Sequence, residues 1–358
     1  LKKLSYRAVL TTKTEIYLGS LDEIHLQIKK RHFRSTRKIH LVLDEGLPEE
    51  HKINVIRKLE EIGKEIEIFY LPSGEDAKRF ETVGNLVKNM IISGLTRNDK
   101  VVVVGGGAVL DAGNFAASIA LRGIKSVLIP TTLLSMIDAS IGGKTGLNVN
   151  SIKNQLGTFY QPEVIIIDSQ FLKTLPEEEI KSGLGEIIKT LLLLGDSRTL
   201  LRFEKNPLDE EVIFKCIRYK SSIVKMDPYE TKKRREWLNF GHTIGHALEA
   251  SNVGKIKHGI AVACGLFYEQ LMAEIYFEEQ GLSIKKVSPL IKRLLSASGI
   301  SLLKTNPNEI IPLFKYDKKV RESSEVRFVY LKDVGKPSIL KVSENDFQWL
   351  FERAIEEV

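Results

Sequence analysis

From about Ile39 to Asp168 the chain alternates short β-branched runs with longer stretches whose apolar residues recur at helical spacing. The runs IHLVLD (39–44), EIEIFYL (65–71), VVVVGGG (101–107), SVLIP (126–130) and EVIIID (163–168) are predicted strands. Such short, strongly apolar runs are expected of strands covered on both faces. Residues 48–64 and 75–92 lie between them and carry the helical pattern. A strand-helix-strand series of this kind predicts a parallel sheet with helices on both faces.

After Asp168 helical patterning takes over, with helices predicted at 177–194, 210–226, 241–251, 258–280 and 284–298. Thr174-Leu-Pro-Glu177 resembles a capping box at the start of the first of these, with Pro176 tolerated in the first turn. Two late runs, RFVYL (327–331) and SILKV (338–342), predict a small hairpin or an added sheet edge. The change in character near 170–176 divides the chain into an α/β domain, 1–175, and a mainly helical domain, 176–358. No internal repeat or low-complexity segment interrupts either.

Composition narrows the functional classes. The 358 residues include 53 basic and 46 acidic side chains, a formal charge of +7, and 43% apolar residues, which excludes a disordered or collagen-like chain. Cys216 and Cys264 are too few for a disulfide framework and belong to no CxxC motif, as expected of a reducing intracellular setting. No apolar run approaches the roughly 18 residues of a membrane span, and the opening Leu-Lys-Lys does not start a signal sequence. A cytoplasmic protein is therefore expected. The basic excess by itself leaves nucleic acid, an anionic surface and a phosphorylated small molecule open.

Chemistry concentrates in a few segments. Gly105-Gly106-Gly107, followed by Ala108 and Asp111, reads as strand, tight turn and helix start, where free amide groups suit a pyrophosphate. The spacing is not GxGxxG, so a plain turn is an equal reading of this segment alone. Asp44, at the end of an earlier strand, is placed to hold a ribose hydroxyl or simply to begin a loop. Asp138 to Gly146, with Lys144, and then Lys153-Asn154, combine glycine turns with charges suited to phosphate or hydroxyl groups. The Walker A spacing fails, because Asp138 stands where its first glycine belongs.

His242 and His246 are four residues apart and share a helical face, and His258 opens another helix. The trio suggests a divalent metal site, most naturally zinc with three protein ligands and an open position. Spacing alone does not choose between His242 and His246, and helix-face histidines without a metal remain the alternative. Glu186, three residues before Lys189, is the candidate carboxylate ligand, or else half of a solvated pair. Lys220, Arg234, Arg235, Lys318 and Lys319 are candidates for an anion pocket or for surface charge.

Taken together and in order, these segments resemble the 3-dehydroquinate synthases, members of the sugar phosphate cyclase group. The strings that carry the resemblance include GGGAVLD (105–111), PTTLLSMIDASIGGKTGLN (130–148), KNQLGTFYQP (153–162), FLKTLPEEE (171–179), GLGEIIK (183–189), LNFGHTIGHALE (238–249), HGIAVACG (258–265) and DKK (317–319). The resemblance implies an α/β N-terminal nucleotide-binding domain, a mainly α-helical C-terminal metal-binding domain, and an active site in the cleft between them. It also implies NAD recycled in each turnover and a divalent metal, zinc or cobalt. The reaction would convert 3-deoxy-D-arabino-heptulosonate 7-phosphate to 3-dehydroquinate and phosphate, in the shikimate route to aromatic amino acids.

By motif position the implied metal ligands are Glu186, His242 and His258. Asp138, Lys144, Asn154, Lys189, Lys220, Arg235, Asn239, His246, Lys318 and Lys319 would contact substrate. NAD would be held by Asp44, Glu75, Lys78, Gly105, Gly106, Gly107, Ala108, Asp111, Thr131, Thr132, Lys144, Lys153, Phe171, Leu172, Lys173 and Thr174. The implied partner is a small sugar phosphate, with no nucleic acid or membrane, in a homodimer. Ser73 replaces the family's usual Asp, Leu110 its Gly, Ile260 its Glu and Thr190 an aromatic, and the loop 227–235 is one residue longer. The alternatives are a sister cyclase acting on sedoheptulose 7-phosphate or glucose 6-phosphate, a metal-dependent polyol dehydrogenase of related fold, or a catalytically silent binding protein of the same fold.

Overall fold

In the computed structural model, residues 13–149, 152–232, 235–252, 255–303, 305–314 and 325–357 are described. The chain divides into two compact units, 1–131 with 142–173, and 132–141 with 174–358. The segment 132–141, which the sequence reading places in the first domain, thus groups with the second unit.

The first unit is built on six parallel strands in the order β1-β8-β5-β4-β2-β3. These are β1 (Glu15–Leu18), β2 (Lys38–Asp44), β3 (Glu65–Leu71), β4 (Lys100–Gly105), β5 (Ser126–Pro130) and β8 (Val164–Ile167). The central strands β4, β5 and β8 are buried along their whole length, which is why their sequences do not alternate. β3 lies at an edge and is only partly buried until its last residue, Leu71. β1 escapes the sequence reading because it is four residues long, partly polar and nowhere fully buried.

Helices α1 (Leu21–His32), α2 (Glu49–Glu60), α3 (Phe80–Ile92) and α4 (Gly107–Ile119) complete this unit, with a small antiparallel pair β6 (Leu147–Val149) and β7 (Ile152–Leu156). The helix predicted at 75–92 is in fact a short 3-10 turn, Gly74–Lys78, and α3, separated by the extended residue Arg79 (φ −76°, ψ 139°). α4 lies tight against its strand: a Cβ at Gly113 would stand 2.6 Å from Val103 Cγ1, and one at Gly105 would stand 2.8 Å from Val109 Cβ. These two glycines are therefore required by helix–strand packing, whatever else the turn does.

The second unit contains α5 (Glu177–Leu194), α6 (Ser197–Lys205), α7 (Glu210–Met226), α8 (His242–Ser251), α9 (His258–Glu279), α10 (Ser288–Ala297), α11 (Pro307–Phe314) and α12 (Glu344–Glu356). The late strands are a hairpin, β9 (Glu325–Asp333) with β10 (Lys336–Ser343), antiparallel with an irregularity between Lys336 and Pro337. The predicted capping box at Thr174 does not form. The N-cap of α5 is Pro176, without a side-chain cap, so Thr174 falls two residues too early.

α9 is the hub. Contrary to the sequence expectation, it is long and apolar enough to cross a membrane by length and composition, yet 89% of its apolar window is buried within the protein. Its polar residues explain the difference, because they anchor its neighbours. Gln270 bonds both backbone groups of Leu331 in β9, and Glu274 accepts from Val287 N and Ser288 N at the start of α10. Helices α5 and α8 cross α9 at near backbone contact, through Gly185 against Gly259 and Gly241 against Gly265.

Candidate active site

Three helices of the second unit bring Glu186, His242 and His258 together, each offering one ligand atom within 4.8 Å of the others. Glu186 comes from the middle of α5, and the two histidines are the first residues of α8 and α9. His242 Nε2 lies 3.7 Å and His258 Nε2 3.8 Å from Glu186 Oε1. Glu186 is 2% exposed, and neither of its oxygens has a partner in hydrogen-bond geometry, although Lys189 Nζ makes an ion-pair contact with Oε2. A buried carboxylate with lone pairs unused is costly unless something positive fills the space before it.

The histidines are held so that Nε2 is the free donor. His242 Nδ1 faces the carbonyl of Phe240 at 3.2 Å, and His258 Nδ1 faces Glu249 Oε2 at 2.9 Å. With the proton on Nδ1, both Nε2 lone pairs turn toward Glu186, the arrangement of metal-ligating histidines with a second hydrogen-bond partner. Burial, followed by the charges of Lys189, His258 and His246, holds His242 well below its ordinary value, so it is neutral. At His258 burial opposes protonation, but the Glu249 hydrogen bond and the Glu186 charge outweigh it and raise the net value. The donor set of one carboxylate and two imidazoles with an open side fits a catalytic zinc or cobalt ion.

His246 faces the same space, its ring 5.3 Å from His242 and 5.8 Å from His258, but it is exposed and outside the ligand cluster. Lys220 Nζ donates to the Asp138 carbonyl at 2.7 Å and pairs with its carboxylate. Burial opposes ionisation of Asp138, yet Lys220 and Lys189 hold it below the usual carboxylate range, while burial pulls Lys220 below an ordinary lysine. Arg235 is buried with Nε and Nη2 lacking partners, while its Nη1 makes a long hydrogen bond to Glu230. Asn239 ends the short 3-10 turn Glu236–Asn239 that precedes α8. Arg234, Lys318 and Lys319 lie outside the described residues.

In the first unit a second constellation forms. The chain reverses its direction of travel across the sheet between β2 and β4, the switch point at which such sheets bind ligands beyond the strand ends. Asp44 ends β2 and the Gly105–Gly107 turn ends β4, with Gly106 N 3.5 Å from Asp44 Oδ2. Ser73 donates to Asp44 and accepts from Gly46 N at 2.9 Å, tying the ends of the two loops together. Lys78 Nζ bridges Asp111 Oδ2 at 2.7 Å and the Asn154 side chain. Asn154 N donates to Asn148, Asn148 Nδ2 donates to Glu75 Oε2 at 2.6 Å, and Lys153 stands 3.7 Å from Glu75.

The remaining candidates are more dispersed. Thr131 N bonds Gly105 O, Ala108 is in the first turn of α4, and Thr132 Oγ1 pairs with Ser135 in the second unit. Phe171 is buried against His51, whereas Lys173 and Thr174 are exposed and Leu172 is half-buried. Lys144 is exposed beside an isolated backbone bridge to Phe159. Sequence reasoning missed the roles of Asn148, Glu249 and Glu269. Glu249 was detectable, since it lies seven residues after His242 and so on the same helical face.

Comparison with known proteins identifies the family. The sequence profile of the 3-dehydroquinate synthase N-terminal region matches residues 68–182, and that of the C-terminal region matches 178–320. The 3-dehydroquinate synthase of Methylacidiphilum infernorum is 36% identical over 332 residues, 91% of this chain and 90% of that protein. That of Sulfurisphaera tokodaii is 44% identical over 259 residues, 69% and 73% of the two chains. Among solved structures, a 2-deoxy-scyllo-inosose synthase complexed with carbaglucose-6-phosphate, NAD+ and Co2+ superposes with a TM-score of 0.82 at 25% identity, covering 94% of this chain and 96% of its own. With profiles matching across both units and relatives of this identity along most of its length, the chain belongs to the 3-dehydroquinate synthase family.

Proposed function

We propose that this protein is a 3-dehydroquinate synthase, a carbon–oxygen lyase of the shikimate route that converts 3-deoxy-D-arabino-heptulosonate 7-phosphate to 3-dehydroquinate and phosphate. The observation that carries the reading is the buried Glu186 carboxylate, unpartnered by hydrogen bonds and faced by two histidine Nε2 atoms. Glu186, His242 and His258 would hold zinc or cobalt. When bound, the cation supplies Lewis acidity toward substrate hydroxyls and NAD supplies reversible hydride transfer.

The protein's own groups do the positioning. Asp138, kept ionised by Lys220 and Lys189, accepts a hydrogen bond from a substrate hydroxyl. Lys220, its ammonium destabilised by burial, exchanges a proton more readily than a surface lysine. The two unsatisfied nitrogens of Arg235 suit a carboxylate or phosphate, which would relieve the cost of burying a guanidinium with so few acceptors. Lys144, Asn154, Lys189, Asn239, His246, Lys318 and Lys319 complete the substrate contacts.

The first unit serves as the NAD domain in this reading. Asp44 takes the ribose hydroxyls and the Gly105–Gly107 turn, with Ala108 at the head of α4, takes the pyrophosphate. Glu75, Lys78, Asp111, Thr131, Thr132, Lys153 and the segment from Phe171 and Leu172 to Lys173 and Thr174 line the rest. A homodimer in the cytoplasm is part of the same proposal and is supported by the family resemblance.

The test supplies purified protein with catalytic NAD, zinc or cobalt and the heptulosonate phosphate. Phosphate should appear without net NADH. Accumulating NADH would instead support a polyol dehydrogenase, and phosphate released only from another sugar phosphate would support a sister cyclase, the reading favoured by the 2-deoxy-scyllo-inosose synthase likeness.

A further inference from the structure

Glu269 is a second buried carboxylate near this site, and the mechanism does not use it. It lies midway along α9, is wholly inaccessible, and reaches across to the start of α8. Its Oε2 accepts from Gly241 N at 2.8 Å and its Oε1 from Ile244 N at 3.0 Å. Gly241 is the N-cap of α8, with φ 78° and no side chain to cap the helix, so its first-turn amides have no local acceptor. The carboxyl group of Glu269, from another helix, supplies it through these two hydrogen bonds.

The two hydrogen bonds bracket His242. One precedes the ligand by a single residue, the other follows it by two, and the His242 ring is fixed in turn by the Phe240 carbonyl. The clamp between the helices is reciprocal. Glu269 of α9 fixes the start of α8, where His242 stands, while Glu249 of α8 fixes the ring of His258 at the start of α9. The close approach of Gly241 to Gly265, where an added Cβ would meet the Gly241 carbonyl at 2.0 Å, brings the backbones near enough for this short reach.

We propose that Glu269 is a positioning residue of the metal site, acting through the first turn of α8 to place the His242 ring. The proposal rests on the metal-site reading above. Glu274 provides the control, being 5% exposed on the same helix and accepting from Val287 N and Ser288 N at the start of α10, which carries no ligand. A purely structural Glu269 would behave like Glu274.

The experiment titrates Co2+ into the metal-free full-length protein and into Glu269→Gln, Glu269→Asp and Glu274→Gln, following affinity, the visible cobalt spectrum and thermal unfolding. Glu269→Gln and Glu274→Gln should both lower the unfolding temperature. Only Glu269→Gln should weaken Co2+ binding, by about tenfold or more, the scale for loss of an outer partner of a ligand, and shift the cobalt bands. Glu269→Asp, which keeps the carboxyl group but shortens the reach, should show a smaller loss of the same kind, and it decides the matter if Glu269→Gln does not fold. Affinity within twofold of wild type in the Glu269 variants, or an equal loss in Glu274→Gln, would overturn the positioning role. Failure of the wild-type protein to bind Co2+ would overturn the metal site itself.

Discussion

Gly185→Ala probes the helix crossing that assembles the site. A Cβ at Gly185 would stand 1.9 Å from Gly259 O, 2.7 Å from Gly259 C and 3.1 Å from Ala263 Cβ. An ordinary carbon–oxygen contact needs roughly 3.3 Å, so α5 and α9 must move apart by on the order of 1 Å. Backbone cannot swing aside as a side chain can, and overpacking of this kind costs about 1–3 kcal/mol, a fall in unfolding temperature of roughly 2–10 °C. Glu186 adjoins Gly185 and His258 adjoins Gly259, so the same movement separates two ligand residues. Metal sites tolerate about 0.2 Å in ligand distance, and a zinc affinity lowered by about tenfold or more is expected. Thermal unfolding with and without zinc, together with chelator competition, measures both effects. Gly84→Ala is the control: it lies within α3, nothing stands within 4 Å of the added Cβ, and the change should stabilise by about 0.5–1 kcal/mol. Unchanged stability and zinc affinity in Gly185→Ala would refute the claim that the crossing sets the ligand geometry.

Two further changes test the electrostatics. Glu249→Gln removes the carboxylate that fixes His258 Nδ1 and should weaken zinc binding about tenfold with little change in unfolding temperature, since Glu249 is only half-buried; equal zinc affinity would refute the orienting role. Lys220→Met removes the closest cation from Asp138. Because the folded-state value of Asp138 lies below its ordinary 3.8, the pair contributes stability above that pH and loses it as acid protonates the carboxylate. The variant should therefore be destabilised at pH 7 and less so near pH 3 in urea unfolding, and an equal deficit at both pH values would argue against the pairing.

Local order in the sequence determined much of this protein. Apolar periodicity gave β3, β5, α5 and α7 to the residue and placed β2, β4, β8 and the long helices within a few positions. The glycine turn after four valines and the histidines at helical spacing marked the chemistry, because both signals depend only on neighbouring residues. What local patterning does not contain is the distance between elements. It left His242 and His246 equivalent, and tertiary packing separated them by bringing the start of α8, the start of α9 and the middle of α5 to one point. It gave no sign that β2 and β4 would be neighbours, which places Asp44 beside the glycine turn. Glu249 shares a helical face with His242 in sequence, but no local pattern links Glu249 to His258 or Glu269 to the start of α8. Each acquires its role only because glycines let α8 and α9 approach to backbone contact, so that a carboxylate on one helix reaches the first turn of the other.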